Sequence, residues 1–250
     1  MNKIKVKDLV LEAGKPKIAV PITGTTHDGI MKDVKEIIKS PCDILEWRAD
    51  YYFGEIENLE EKVENTEAHR QMIRILDDID YLAGDRPLIF TIRGHGHGGR
   101  VAISREHAFD LSSLAAQSKL VDFVDMELFD DDDTYDEQQV IRQIEEIHSF
   151  GVRVILSFHD YDTMITNEQI INVAALMRDL GADIVKIACM AHTEDEVKGM
   201  FEASDDLTKG DQNPVILIAM GEAGIPSRIL GGRHGSCITF AQGQKATAQG

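Results

Sequence analysis

The chain has 250 residues, of which 43% are hydrophobic and 28% are charged, so its composition is that of a globular protein and excludes wholesale disorder. Its 26 basic and 44 acidic side chains give a formal net charge of −18, which disfavours binding to nucleic acid or to an anionic membrane surface. No apolar run reaches the ~20 residues of a membrane-spanning helix, and the N-terminus lacks the pattern of a signal peptide.

Short apolar runs rich in β-branched residues alternate with segments that have helical spacing. Strands are predicted, in chain order, at Ile18–Thr23, Asp43–Arg48, Leu88–Arg93, Val121–Leu128, Val152–Phe158, Asp183–Ala188, Val215–Met220 and Ser236–Phe240. Helices are predicted at Asp28–Lys39, within Ile56–Leu82, and at Ser104–Lys119, Thr134–Phe150, Thr166–Leu180 and Thr193–Leu207. Most of the strand runs are apolar on both faces, which is typical of parallel strands that are covered on both sides.

This alternation predicts an α/β fold, a (β/α)₈ TIM barrel that residues 1–250 form as a single domain. An open doubly wound sheet is the alternative, but no GxGxxG turn follows the first strand, so a dinucleotide site is not expected. The first fifteen residues predict an N-terminal β-hairpin, formed with Lys15–Val20, that closes the barrel base. Because only ten residues follow the last predicted strand, the final helix is expected to be missing.

Charged residues interrupt the apolar runs at corresponding ends of six strands. They are Glu46, Arg48, Arg93, Asp125, Glu127, His159, Asp160, Lys186 and Arg228. An isolated ion inside a sheet is costly, so charges placed in this way are expected to have a function or a partner. Since the C-terminal ends of parallel barrel strands meet at the face where active sites form, the pattern predicts one shared site.

Lys186 is the most informative of these residues because it lies within the apolar run Ile184–Ala188. Desolvation and nearby arginines disfavour its ammonium form, and a neutral amine can attack a carbonyl to form a Schiff base. A structural lysine paired with Glu127 or Asp160 is the alternative. His159 ends the preceding strand and is the candidate proton shuttle, although a lone histidine is often only a satisfied polar residue.

Arg48, Arg93 and Arg228 predict an anionic ligand, a small-molecule carboxylate, because guanidinium groups bind carboxylates bidentately. In so acidic a chain, an anionic substrate needs a local basic pocket of this kind. Glu46 shares a strand face with Arg48, so the two could pair with each other or bind the ligand together. A structural network of ion pairs is the alternative.

The segment Gly94–Arg100 has the sequence GHGHGGR. His95 and His97 could ligate a metal, but no cysteine or HExxH spacing completes a set, so no metal site is predicted. The glycines favour a flexible active-site loop, and an ordinary turn is the alternative.

Trp47 and the three cysteines, Cys42, Cys189 and Cys237, lie in or beside apolar runs and are expected in the core. The cysteines are widely spaced and lack a CxxC pair, which predicts reduced thiols in a cytoplasmic protein.

The motifs EWR, FTxR, SxHD, ADIVKIA and GxxSR occur in this order along nearly the whole chain. Together they resemble the type I 3-dehydroquinase family, 3-dehydroquinate dehydratases of the shikimate pathway of aromatic amino acid biosynthesis. The resemblance implies a (β/α)₈ barrel that is usually a homodimer and uses no metal and no organic cofactor. It also implies a lyase that dehydrates 3-dehydroquinate to 3-dehydroshikimate through a lysine Schiff base.

The resemblance further assigns a role to each matching residue. Lys186 corresponds to the imine-forming lysine, and His159 to the general acid/base. The implied substrate contacts are Glu46, Trp47, Arg48, Arg93 and Arg228, the last on the substrate carboxylate. Near the C-terminus the family usually reads ASAPGQ, whereas this chain reads ATAQG, so Thr247 can supply a hydroxyl group but the lid glutamine is absent.

One departure from the family concerns the chemistry directly. Four residues after Arg93 the family usually has a glutamate near the catalytic histidine, and this chain has His97. Asp125 or Glu127 could partly replace that carboxylate. An altered rate, an altered pH profile or a loss of activity is therefore expected.

Two alternatives to the dehydratase remain open. One is a catalytically impaired barrel that binds dehydroquinate or quinate without turnover. The other is a class I Schiff-base aldolase, although no glycine-rich phosphate loop follows the seventh strand.

Overall fold

The computed structural model describes residues 3–56, 66–130, 132–209 and 213–242. The strands are β1 Ile4–Val6, β2 Leu9–Leu11, β3 Lys17–Ile22, β4 Ile44–Arg48, β5 Leu88–Thr91, β6 Phe123–Glu127, β7 Arg153–Asp160, β8 Ile184–Met190, β9 Val215–Met220 and β10 Ile238–Phe240. The helices are α1 His27–Ile37, α2 Ala49–Phe53, α3 Thr66–Ala83, α4 Arg105–Gln117, α5 Glu137–Ser149, α6 Asn167–Asp179, α7 Glu194–Leu207 and α8 Ile225–Leu230.

Strands β3 to β10 form one parallel sheet of eight strands in the order β10-β3-β4-β5-β6-β7-β8-β9. The two outer strands approach each other, because the amide of Cys237 donates to the carbonyl of Val215 at 2.9 Å and Val215 also bridges to Ser236. The sheet is thereby nearly closed, and helices follow the strands along the chain. The predicted (β/α)₈ barrel is confirmed.

Local signals in the sequence set several helix boundaries. Ser104 accepts a hydrogen bond from the amide of His107 at the start of α4, and Thr166 forms a reciprocal capping box with Gln169 at the start of α6. Gly181 follows α6 with a φ of 103°, a conformation that L side chains rarely adopt.

An apolar cluster fills the lower barrel interior. It includes Ile44, Ile89, Phe123, Ile155, Ile184 and Ile216, one residue from each of six neighbouring strands. Strands β1 and β2 form an antiparallel hairpin that buries Ile4, Val6 and Leu11 in this same cluster. The hairpin that closes the barrel base is therefore confirmed, but the prediction that it is formed with Lys15–Val20 was wrong. Lys17–Ile22 is the first barrel strand, because its backbone pairs with β4 and β10.

Trp47 and the cysteines occupy the core as expected. Trp47 is fully buried and packs edge-on against Phe90, with 5.6 Å between ring centroids. All three cysteines are free, with Cys189 and Cys237 buried and Cys42 half-buried. Burial raises the pKa of Cys42 to about 11 and those of Cys189 and Cys237 to about 12, so these thiols stay protonated at neutral pH.

Some sequence-based predictions fall on residues outside the described ranges. They concern residues 57–65 of the helical segment within Ile56–Leu82, and residues 243–250 with Thr247 and the missing final helix. Among the helices that are described, none is long and apolar enough to cross a membrane.

Candidate active site

A cavity of about 420 Å³ lies at the C-terminal ends of the barrel strands and is called the substrate cavity below. The predicted site residues that line it are Glu46, Arg48, Arg93, His159, Lys186 and Arg228. They come from the three strands β4, β7 and β8, from the segment that follows β5, and from helix α8. The structure thus brings these six side chains to one cavity.

Lys186 lies inside the barrel with its side chain 7% exposed, and its Nζ is 2.7 Å from Asp125 Oδ2. The ring of Phe240 lies beside the same nitrogen, with its centroid 4.8 Å away. The other oxygen of Asp125 accepts hydrogen bonds from Arg93 Nη2 and Ser157 Oγ, each at 2.7 Å. Burial raises the pKa of Asp125, but the charges of Lys186 and Arg93 outweigh it and hold the pKa below its ordinary value.

The carboxylate partner of Lys186 is therefore Asp125, and neither Glu127 nor Asp160 pairs with it as the structural alternative supposed. Asp160 instead accepts two backbone hydrogen bonds in the turn that follows β7. Because Asp125 also binds Arg93, the lysine is one member of a shared buried network and not half of an isolated ion pair.

The Nδ1 atom of His159 lies 2.9 Å from Glu127 Oε2 and 2.8 Å from Arg93 Nη1, so it donates to Glu127 when it carries a proton and accepts from Arg93 when it does not. The other oxygen of Glu127 accepts the backbone amide of His159 at 3.0 Å. Burial first, and then the charges of Arg93 and Lys186, lower the pKa of His159 well below its ordinary value, so the imidazole is neutral. If Nδ1–H donates to Glu127, Nε2 is unprotonated and can accept a proton.

Tyr161 also lines the substrate cavity and was not found from the sequence. Its ring stacks on His159 at 5.9 Å with an interplanar angle of 12°, and its hydroxyl donates to the carbonyl of His97 at 3.1 Å. Gly98 makes this packing feasible, because a Cβ atom there would lie 2.3 Å from the Tyr161 hydroxyl oxygen. The sequence signal that could have identified Tyr161 was its position two residues after His159, at the end of a strand.

Arg48 forms a bidentate ion pair with Asp50, with Nε to Oδ1 at 2.7 Å and Nη2 to Oδ2 at 2.9 Å. Glu46 instead accepts a hydrogen bond from Thr91 Oγ1 at 2.9 Å. Arg48 therefore pairs with Asp50 and not with Glu46. Sequence reasoning missed Asp50, although it lies only two residues beyond Arg48.

Arg228 differs from the other two arginines of the cavity. Its Nη1 donates to the carbonyl of Phe240 at 3.3 Å, and its buried Nε finds no acceptor among the described residues. Burial lowers the pKa of Arg228. This guanidinium retains donors for an anionic ligand.

Among the candidate site residues that the structure describes, Trp47, His97, Asp125 and Glu127 do not line the substrate cavity, although Asp125 and Glu127 contact Lys186 and His159. Trp47 lies between Glu46 and Arg48 on β4, so its side chain points to the opposite face of the sheet. The expectation that Trp47 contacts substrate is corrected to a role in the core. His97 lies in the turn His95–His97 and lines a second cavity, which Glu127 also lines.

The chain is similar to known proteins over nearly its whole length. Residues 18–250 match the model of the family described as type I 3-dehydroquinase. The 3-dehydroquinate dehydratase of Listeria welshimeri is 34% identical over 250 residues, covering 100% of this chain and 93% of that protein. The one from Bacillus licheniformis is 35% identical over 248 residues, covering 99% and 91%. A crystal structure of type I 3-dehydroquinate dehydratase from Clostridium difficile, with covalently modified comenic acid, has a TM-score of 0.87 at 32% identity and covers 99% of this chain and 92% of that one. The chain therefore belongs to the type I 3-dehydroquinase family.

Proposed function

We propose that this protein dehydrates 3-dehydroquinate to 3-dehydroshikimate through a Schiff base on Lys186. The observation that carries the proposal is one buried lysine whose cavity also contains a neutral histidine and an arginine without a carboxylate partner among the described residues. The names of the relatives support the substrate. Within this family the reaction is the loss of water from a ring ketone.

Substrate binding rests on Arg228, whose donors remain for the substrate carboxylate. Arg48 and Arg93 already hold buried carboxylates and contribute fewer donors to a ligand. Binding through Arg228, with Glu46 on a ring hydroxyl, would fix the ring so that its ketone faces Lys186.

Imine formation needs a neutral amine on Lys186. The pKa of Asp125 is held low and that of His159 is lowered well below its ordinary value, so neither group keeps the proton that Lys186 gives up, and it is carried only transiently. The amine then attacks the ketone carbon, and the proton that the ammonium gave up passes to the hydroxyl group of the resulting carbinolamine, which leaves as water to give a protonated imine. The charge of Asp125 stabilises that cation in place of the ammonium.

Elimination follows at the carbon next to the imine. The cationic imine withdraws electrons and acidifies the C–H bond, His159 removes this proton, and an enamine forms. The imidazolium then donates a proton to the departing ring hydroxyl, which leaves as water. A second water molecule hydrolyses the imine, which restores Lys186 and releases the product, so the net change is the loss of one water.

Glu127 supplies the carboxylate that the family places at the position of His97. It contacts His159 at Nδ1 and at the backbone amide, and Asp125 is already engaged by Lys186. A carboxylate at Nδ1 stabilises the imidazolium that forms during elimination. This contact favours a working enzyme over the impaired barrel.

Borohydride trapping tests the assignment. Reduction in the presence of 3-dehydroquinate should leave a covalent adduct on the peptide that contains Lys186, located by mass spectrometry, and Lys186→Ala should leave none. An adduct that survives in this variant, or that forms on another residue, would refute the proposal.

His159→Ala separates imine formation from elimination. The variant should still give the borohydride adduct, while kcat falls by about 10²- to 10⁴-fold because the acid/base is lost. Turnover close to wild type would remove His159 from this role. Wild-type binding of 3-dehydroquinate without product would favour the impaired barrel, and cleavage of sugar phosphates would favour the aldolase.

Three further expectations remain proposals. A single domain over residues 1–250 rests on the strand and helix alternation, and a cytoplasmic location rests on the three free cysteines. A homodimer rests on the family resemblance, and sedimentation analysis would test it.

A further inference from the structure

A second cavity, of about 460 Å³, lies between β6 and helices α4 and α5 and is called the outer cavity below; it adjoins the active site, because Arg93, Asp125 and Glu127 also line it. Its apolar lining includes Phe109 of α4, Met126 of β6 and Phe129. It is as large as the substrate cavity. The proposed reaction gives this space no role.

Gln143 of α5 lines the outer cavity with only 6% of its surface exposed. Its Oε1 atom is buried, and no donor within the described ranges reaches it. A buried carbonyl oxygen without a donor is unfavourable, and a leucine at this helix position would avoid that cost. The side chain therefore offers a hydrogen-bond acceptor to an occupant of the cavity.

Charges around the cavity favour a cationic occupant. The carboxylates of Glu127 and Asp130 are paired with Arg93 and Arg105. Asp132 also lines the cavity, and its Oδ1 accepts the Thr134 hydroxyl at 2.6 Å. The paired charges cancel, and the carboxylate of Asp125, which also lines the cavity, is balanced by Lys186, so Asp132 leaves the lining with a net negative charge.

We propose that the outer cavity binds a small organic amine, whose apolar body packs on Phe109 and Phe129 and whose N–H group donates to Gln143. The amine group satisfies the buried acceptor, and its positive charge matches the acidic lining. This binding does not depend on the reaction in the barrel.

An effect on catalysis would follow from Glu127, which lines the outer cavity and also holds His159. A cation close to this carboxylate weakens its hold on the imidazole, so a bound amine should lower kcat and leave KM nearly unchanged. This second step rests on the proposed function.

Calorimetric titration with three matched compounds tests the binding. Phenethylamine should bind saturably, phenethyl alcohol more weakly, and 3-phenylpropionate not at all. Gln143→Leu should weaken amine binding by about fivefold, the loss of one hydrogen bond, while Gln138→Leu on the exposed side of the same helix should not change it. Arg228→Met should keep the affinity, because Arg228 lines the substrate cavity and not the outer cavity.

Equal affinity for the three compounds, the absence of amine binding, an unchanged affinity in Gln143→Leu, or a loss of binding in Arg228→Met would each overturn the proposal. If the amine binds as expected and kcat does not fall, only the effect on catalysis is contradicted. Titration needs no turnover, so its result is separate from a failure of the dehydratase proposal.

Discussion

Asp125 and Glu127 are two residues apart on β6, so both side chains point into the barrel, yet each serves a different reactive group. Asp125 holds Lys186, and Glu127 holds His159. Strand periodicity predicts that both face the site. It does not predict which cation each one meets, because that depends on the register with β7 and β8, where Asp125 lies beside Ile155 and Lys186 beside Ser157.

Glu127→Ala should lower kcat by about 10²-fold, because the imidazolium of His159 loses its stabilising carboxylate. KM and the yield of borohydride adduct should change little, since Lys186 and Arg228 are untouched. Steady-state kinetics across a pH series would measure this, with Glu106→Ala on the exposed side of α4 as the control. An unchanged kcat and pH profile would show that the contact has no catalytic role. Adding His97→Glu to Glu127→Ala tests whether a carboxylate at the family's position restores kcat.

Element boundaries follow the sequence most closely where apolar runs are long. Val215–Met220 is predicted residue for residue, whereas the helices α2 and α8 were not predicted. Both are short, with five and six residues, and helices of this length do not form on local propensity alone. Arg228 reaches the substrate cavity only because α8 packs against β9. That placement is a tertiary effect which the sequence pattern does not contain.

The contact between α5 and the start of β8 gives a prediction at the scale of elements. His148 Nε2 lies 2.7 Å from Asp183 Oδ2, and this hydrogen bond raises the pKa of His148. A raised pKa means that the histidine adds stability below the unfolded pKa of about 6.5, and that this contribution is lost as the pH rises through the folded pKa.

His148→Gln should therefore lower the free energy of unfolding at a pH of about 5.5, and much less at a pH of about 9. The difference should be about 0.5 kcal/mol, because the pair is partly exposed and screened by solvent. Urea unfolding at both pH values measures it, with His69→Gln on α3 as the matched control. An equal loss at both pH values would contradict the linkage.

At the scale of the molecule, the alternation of strands and helices was sufficient to predict the barrel, because eight parallel strands with crossover helices have few other arrangements. The pocket is less basic than the sequence predicted for an anionic substrate. The cations Arg48, Arg93, Lys186 and Arg228 are accompanied by the carboxylates Glu46, Asp50, Asp125 and Glu127, so the charges nearly balance. Arginines are visible in a sequence, but their buried partners are assigned only by the fold.

A nearly balanced site in a protein of net charge −18 leads to a prediction about salt. The long-range field repels an anionic substrate, and the Debye length shrinks to about 10 Å at 0.1 M ionic strength. Raising the ionic strength from about 10 mM to about 150 mM with sodium chloride should therefore raise kcat/KM about twofold and leave kcat unchanged. Arg228→Met should bind substrate more weakly but keep the same salt dependence, because the field arises from the whole surface. A fall in kcat/KM with salt would mean that attraction by the arginines of the cavity outweighs the repulsion.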